Sequence, residues 1–221
     1  MRSPTIPNHG RWAEAGQVLA MEARALKAGG ADFAVLCTNT MHKVADAIVC
    51  GSGLALIHIV DVAAGRLTAG GIRAVGLLGT RFVMEEDFYG GEMSARHGVD
   101  VLLPGEADRA FLHAVIYGEL AKGLVTSATR DRCQAIIADL ASQGAQAILL
   151  ACTELPLVVS EADHAIPIYS TTTLHALLGS GPAGLAGRGI GAENAVARLT
   201  QGPPVRSLAG KEWRTRQDSN L

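Results

Sequence analysis

The chain has 221 residues, enough for one large α/β domain or two small lobes, and 48% of them are hydrophobic while only 4% are aromatic. A net charge of −2 argues against a broad basic surface for nucleic acid or an anionic membrane. No apolar run approaches the length of a membrane span and the N-terminus shows no signal-peptide core, so a cytoplasmic protein is expected.

Met1 to Asn8 carry no periodic pattern, and helical spacing begins at Gly10-Arg11-Trp12 without a preceding strand. Apolar runs predict strands over 32–37, 54–58, 72–78, 99–103, 146–151 and 166–169. Amphipathic spacing predicts helices over 11–28, 40–50, 60–70, 82–97, 106–121, 130–143 and 171–178. This alternation implies an α/β fold of mostly parallel sheets flanked by helices, with ligands beyond the C-terminal strand ends. The Gly/Pro-rich and polar stretch 179–221 reads as an atypical, disordered tail in which only 192–199 has helical character.

One phrase occurs twice. Ala31-Asp32-Phe33-Ala34-Val35-Leu36-Cys37-Thr38-Asn39-Thr40 and Ala145-Gln146-Ala147-Ile148-Leu149-Leu150-Ala151-Cys152-Thr153-Glu154 each run an apolar strand into Cys-Thr and a polar residue. Each copy also follows a helix-like stretch ending in glycine, at Gly29-Gly30 and at Gly144. Two equivalent strand ends therefore carry a thiol each, and across a cleft one could accept a proton while the other donates one.

Helix starts after both cysteines would favour thiolate through free N–H groups and the positive dipole end. Thr38, Asn39 and Thr40 read as capping residues, and Pro156 follows Thr153-Glu154 as though in a first helical turn. The alternative is that each cysteine merely ends a buried strand. Cys50 and Cys133 read as structural, small hydrophobes. No closely spaced Cys/His ligand set argues for zinc. His42 and His175 are further candidates for stabilising a thiolate, or are capping residues. Val75-Gly76-Leu77-Leu78-Gly79-Thr80-Arg81 reads as a strand and glycine turn that could cradle an anion at a helix start, without a nucleotide fingerprint.

These phrases resemble the aspartate/glutamate racemase family, in its amino-acid racemase branch. The resemblance rests on Cys37-Thr38-Asn39-Thr40-Met41-His42-Lys43, on the stretch Gly76 to Tyr89, on Cys152-Thr153-Glu154-Leu155, and on Pro167 to Ala176, in that order. It implies a pseudo-symmetric two-lobed α/β fold, assembled as a homodimer, that racemises a small amino acid such as aspartate or glutamate without a cofactor or metal. Cys37 and Cys152 match the two catalytic cysteines. Thr38, Asn39, Thr40, Thr153 and Glu154 would then bind the substrate, with Glu154 toward its ammonium group.

The sequence also departs from the family. Its first strand and Gly-Gly-Met-type substrate loop have no counterpart before Trp12, and Pro7 stands where a glutamine is frequent. Thr126, with Lys122 nearby, replaces a basic substrate residue, and Ser170 replaces an aspartate. The expectation is a truncated or frame-shifted racemase with an incomplete first lobe, 1–53 plus 165–178, and a second lobe, 54–164. Such a sheet would expose an unprotected edge. The competing expectations are a catalytically impaired remnant and a related one-thiol decarboxylase or isomerase.

Overall fold

The computed structural model describes residues 11–179; the expectations for Met1 to Asn8, for the tail beyond 179 and for a helix at 192–199 lie outside the described residues. Helix α1 (Trp12–Ala28) turns Gly16, Ala20 and Ala23 inward. These small residues let α2 (Ala45–Ser52) approach closely: a Cβ on Gly51 would lie 2.7 Å from Ala20 Cβ. Beside this helix pair, β1 (Phe33–Val35) runs parallel to β2 (Ala55–Ile57), with Phe33 opposite Ala55 and Val35 opposite Ile57.

The larger sheet has the order β4-β3-β5-β6 and is parallel throughout, built from β3 (Ala74–Gly79), β4 (Asp100–Leu102), β5 (Ala147–Ala151) and β6 (Ile168–Ser170). This pairing divides the strands differently from boundaries at 53/54 and 164/165. β2 returns beside β1 through the short α2 crossover, as a βαβ unit does, and β6 extends the sheet of β5. Among the described residues both strands of the small sheet are edges. Val18, Met21 and Leu26 of α1 and Val49 of α2 are exposed next to it.

β5 is buried along its whole length, and its residues alternate between two cores. Ile148 and Leu150 face α6 (Glu106–Gly118) and α7 (Ser127–Ser142), packing with Leu112, Ile116, Ile136 and Leu140. Ala147, Leu149 and Ala151 face α3 (Ile59–Ala69) and the segment 83–93, meeting Val60, Ala64, Leu67, Tyr89 and Met93. Gly76 of β3 is required by this packing, since a Cβ there would lie 2.6 Å from Ile148 Cδ1. The same alternation carries Cys152, one residue past β5, onto the α6 side.

Three predicted helices are divided, that over 106–121 ending at Gly118 before a 3-10 turn over Leu120–Lys122. The 82–97 helix is two, α4 (Arg81–Glu85) and α5 (Gly90–His97), because Glu86 is extended at φ −106° and ψ 148° and Gly90-Gly91 disfavour continuation. The break turns Tyr89 fully into the core. The 40–50 helix begins as a 3-10 turn over Thr40–Val44 before α2 takes over. The last element among the described residues is α8 (Thr171–Gly179), whose first turn is held by Thr173 N–H donating to Ser170 Oγ at 3.3 Å. No helix among the described residues is long and apolar enough to cross a membrane.

Candidate active site

The ends of β3 and β5 are in register, Gly79 opposite Ala151, so Thr80 and Cys152 emerge side by side. The polar turn after β1 meets them. Together they enclose a cavity of about 270 Å³ lined by Thr38, Asn39, Thr40, Thr80, Cys152, Thr153 and Glu154, with α6 contributing Ile116 and Tyr117. Ala121 and Ala151 complete the wall. The turn after the first Cys-Thr phrase and the end of the second thus share one hollow, 115 residues apart in sequence by the difference of positions 152 and 37.

The two thiols are placed differently. Cys152 is buried, and its Sγ–H donates to Glu154 Oε2 at 3.0 Å. Burial, reinforced by the hydrogen bond to the Glu154 carboxylate and by its charge, pushes this thiol up to about 12, against the opposing pull of the Glu154 and Leu155 backbone N–H groups. The expectation of a helix start poised to make thiolate is therefore corrected at this site. The helical turn after it is a 3-10 turn of only three residues, Leu155–Leu157, too short to outweigh a desolvated sulfur beside a carboxylate. Cys37 is exposed and outside the cavity lining. A tight turn, Thr38 N–H to Leu36 O at 2.8 Å, follows β1, and the Cys37 thiol lies 3.9 Å from Val35 O.

The capping reading of the first phrase is also corrected. Asn39 stands at the start of the 3-10 turn without a side-chain cap bond. Its amide reaches sideways, accepting from Tyr89 OH at 3.0 Å through Oδ1 and donating to Thr171 Oγ1 at 3.0 Å through Nδ2. Thr40 Oγ1 lies 3.2 Å from Thr80 Oγ1, joining the first phrase to the end of β3. Thr80 was legible as part of a glycine turn suited to an anion and of the Gly76 to Tyr89 family stretch, without a site role of its own. Tyr117 carried no sequence signal beyond an amphipathic helix. Its hydroxyl is buried without a hydrogen-bond partner, and burial, then the Cys152 and Glu154 charges, push it upward. A chain of edge-on aromatic contacts, Trp12 to Phe82 at 5.4 Å, Phe82 to His113 at 5.8 Å and His113 to Tyr117 at 5.0 Å, holds that ring.

Histidines underlie the first phrase. His42 is buried; its Nε2 accepts from Ile59 N–H at 3.2 Å, which leaves Nδ1–H to donate to Thr38 O at 2.7 Å. His58 packs edge-on to it at 4.7 Å between ring centroids, and His175 lies tilted to it at 5.9 Å. Burial lowers all three, His42 to about 3 and His175 to about 4. Neither His42 nor His175 lines the cavity, so their positions give no contact with a thiolate there. Among the described residues no group of three or more His, Cys, Asp or Glu could hold a metal ion.

The remaining sequence candidates separate. Thr126 caps α7, accepting from Thr129 N–H at 3.1 Å, and neither it nor Lys122 lines the cavity. Cys133 is buried and its thiol is pushed up to about 11 by that burial, as a small hydrophobe would be. Cys50 is exposed near the end of α2, which removes the packing reason for its being a cysteine.

A parallel α/β fold that gathers a buried cysteine, a cluster of hydroxyls and a carboxylate at its strand ends defines a class of enzymes that work on small polar molecules. The comparisons narrow it. The sequence model of the Asp/Glu/Hydantoin racemase family matches residues 2–178. The fold is shared with a Yersinia pestis protein assigned as an Asp/Glu racemase, at 38% identity and a TM-score of 0.73 over 87% of this chain and 76% of that one. An aspartate racemase homologue from Pyrococcus horikoshii OT3 follows at 25% identity and a TM-score of 0.67, over 86% and 76%. The Picrophilus torridus aspartate racemase has the same fold at 23% identity and a TM-score of 0.62, over 81% and 77%. The chain belongs to the Asp/Glu/Hydantoin racemase family, an isomerase class.

Proposed function

We propose that the protein is a cofactor-independent racemase of a small amino acid, aspartate or glutamate being the leading candidates. The observation that carries this reading is the single cavity into which Thr38, Asn39 and Thr40 of one phrase and Cys152, Thr153 and Glu154 of the other project. Its volume lies below the roughly 300–1,000 Å³ of cofactor-sized pockets and suits a small metabolite.

In this mechanism the substrate carboxylate sits against the donors of the Thr38-Asn39-Thr40 turn and the Thr80 hydroxyl, and its ammonium group meets Glu154. One thiolate removes the α-proton, leaving an enediolate-like carbanion that the same donors stabilise, and the opposite thiol returns a proton to the other face. The buried Cys152, hydrogen-bonded as a thiol, is the proton donor of the free enzyme. The base role in that direction falls to Cys37, which must turn from its Val35 contact toward the cavity as substrate binds. An ammonium group at Glu154 offsets the carboxylate charge that disfavours the Cys152 thiolate, so substrate binding eases the exchange of roles for the other enantiomer. A homodimer in the cytoplasm, acting without metal or nucleic acid, completes the proposal.

The test is exchange of substrate α-hydrogen in deuterium oxide, with D- and L-aspartate and D- and L-glutamate as substrates. Exchange lost in both Cys37→Ser and Cys152→Ser supports two opposed thiols; exchange that survives in either variant sinks that mechanism. The exposure of Cys37 outside the cavity favours one second reading, a one-thiol decarboxylase or isomerase acting through Cys152. Turnover of a malonate or of maleate that needs Cys152 but not Cys37 would establish it.

A further inference from the structure

The hydrogen bonds around Asn39 form a chain with only one possible direction. Leu150 O, on β5 two residues before Cys152, can only accept, and Thr171 Oγ1 lies 3.1 Å from it. The Thr171 hydroxyl proton is therefore spent on Leu150, and toward Asn39 that oxygen can only accept. The amide nitrogen of Asn39 must then face Thr171, which places Oδ1 toward Tyr89, whose hydroxyl gives its one proton to it. Tyr89 and Thr171 are fully buried, so bulk water offers their hydroxyls no alternative partners. One Nδ2–H of Asn39 remains, on a residue that lines the cavity.

We propose that Tyr89 and Thr171 are positioning residues that lock the Asn39 amide with a donor, and not its carbonyl, toward the cavity, so that this wall accepts a carboxylate and rejects an ammonium group. The inference rests on the amino-acid reading for the identity of the ligand, but the lock is a property of the free protein. It orients the substrate: the carboxylate goes to the Asn39 wall, which leaves the ammonium for Glu154. It also ties the first Cys-Thr phrase to the strand that delivers the second, since the chain ends on β5. The break between α4 and α5 has its purpose here, because a continuous helix would not bring Tyr89 to Asn39.

The first test needs no ligand. In the full 15N-labelled chain, the Asn39 side-chain amide pair is identified by its loss in Asn39→Ala. One of its protons should exchange with solvent at least about tenfold more slowly than the other, because one is bonded to buried Thr171 and one faces the cavity. In Tyr89→Phe, which keeps the ring and the Thr171 bond but frees the Oδ1 end of the amide, that difference should shrink; Thr171→Ser should preserve it and Thr171→Val should abolish it. Equal exchange of both protons in the unmodified protein, or an undiminished difference in Tyr89→Phe, overturns the lock.

The second test measures binding of succinate, a dicarboxylate with no ammonium group, by calorimetry. Tyr89→Phe should weaken it about tenfold, as expected for one lost hydrogen bond to a charged group, and should add nothing on top of Asn39→Ala. Additive losses, or a Tyr89→Phe variant that melts earlier yet binds succinate unchanged, would assign Tyr89 to stability alone and overturn the proposal. Absence of α-hydrogen exchange together with the expected amide behaviour counts against the racemase reading and leaves the lock standing.

Discussion

The two Cys-Thr phrases share their local sequence and differ in nearly everything around it. The first follows a three-residue strand that, among the described residues, pairs only with β2, and its cysteine is exposed. The second ends a five-residue strand held between β3 and β6, and its cysteine is buried against a carboxylate. Local sequence brings a thiol to a strand end in both cases. The depth of the strand in its sheet then decides whether that thiol meets water or a low-dielectric wall, and at Cys152 that wall holds the thiol protonated.

The sharpest way to break this comparison is to remove each thiol in turn. Cys37→Ser and Cys152→Ser should each lower racemisation by about 10²–10⁴-fold, the range for loss of a positioned acid or base, measured by polarimetry on the preferred amino acid. If only Cys152→Ser does so, the two phrases are not catalytic equals. Alkylation by iodoacetamide sharpens the contrast without assuming a reaction. At pH 8, exposed Cys37 and Cys50 should be modified before Cys152 and Cys133, which are buried and, with thiols pushed up to about 12 and about 11, almost wholly protonated. Peptide mass analysis against time gives the order, and a Cys152 that reacts as fast as Cys37 would show that the buried environment does not persist in solution.

Glu154→Gln should have a smaller effect on that chemistry. It removes the carboxylate charge beside Cys152, so Cys152 alkylation should accelerate by about tenfold, and substrate KM should rise if the proposed ammonium contact is lost. Acid stability tests the ground beneath the first phrase. The folded-state values of His42 and His175 lie below 6.5, so the unfolded chain binds more protons under acid conditions. Their contribution is complete above pH 6.5 and is lost as pH falls toward about 4 at His175 and about 3 at His42. Urea unfolding should show that decline, shallower in His42→Asn. Tyr117→Phe should have the smallest effect on stability, within about 1 kcal/mol or slightly stabilising, because it deletes a buried hydroxyl that has no partner.

Much of the fold was legible because apolar periodicity reports burial directly. Every predicted strand has a counterpart, and β5 was the clearest, five apolar residues in a row. The breaks at Glu86 and after Val44 coincide with tertiary contacts that helical periodicity does not report: Tyr89 meets Asn39 beyond the first, and Thr40 meets Thr80 before the second. The partners of β2 and β6, which pair with β1 and β5, are chosen by crossover geometry, which composition does not encode. At the site, Thr38, Asn39, Thr40, Cys152, Thr153 and Glu154 were recognisable from their phrases and all line one cavity. Tyr117 carried no pattern beyond an amphipathic helix, and the motifs that contain Tyr89 and Thr171 marked the family but not their hydrogen bonds to Asn39, which depend on elements far apart in sequence.

The sequence by itself determined the α/β alternation, the two thiols at strand ends and the family, because these follow from short-range periodicity and contiguous motifs. Only the tertiary structure decided that the thiols are unequal. Burial beside Glu154 and exposure beside Val35 arise from which strands and helices pack around each cysteine, and desolvation is a property of that packing, not of the residues on either side.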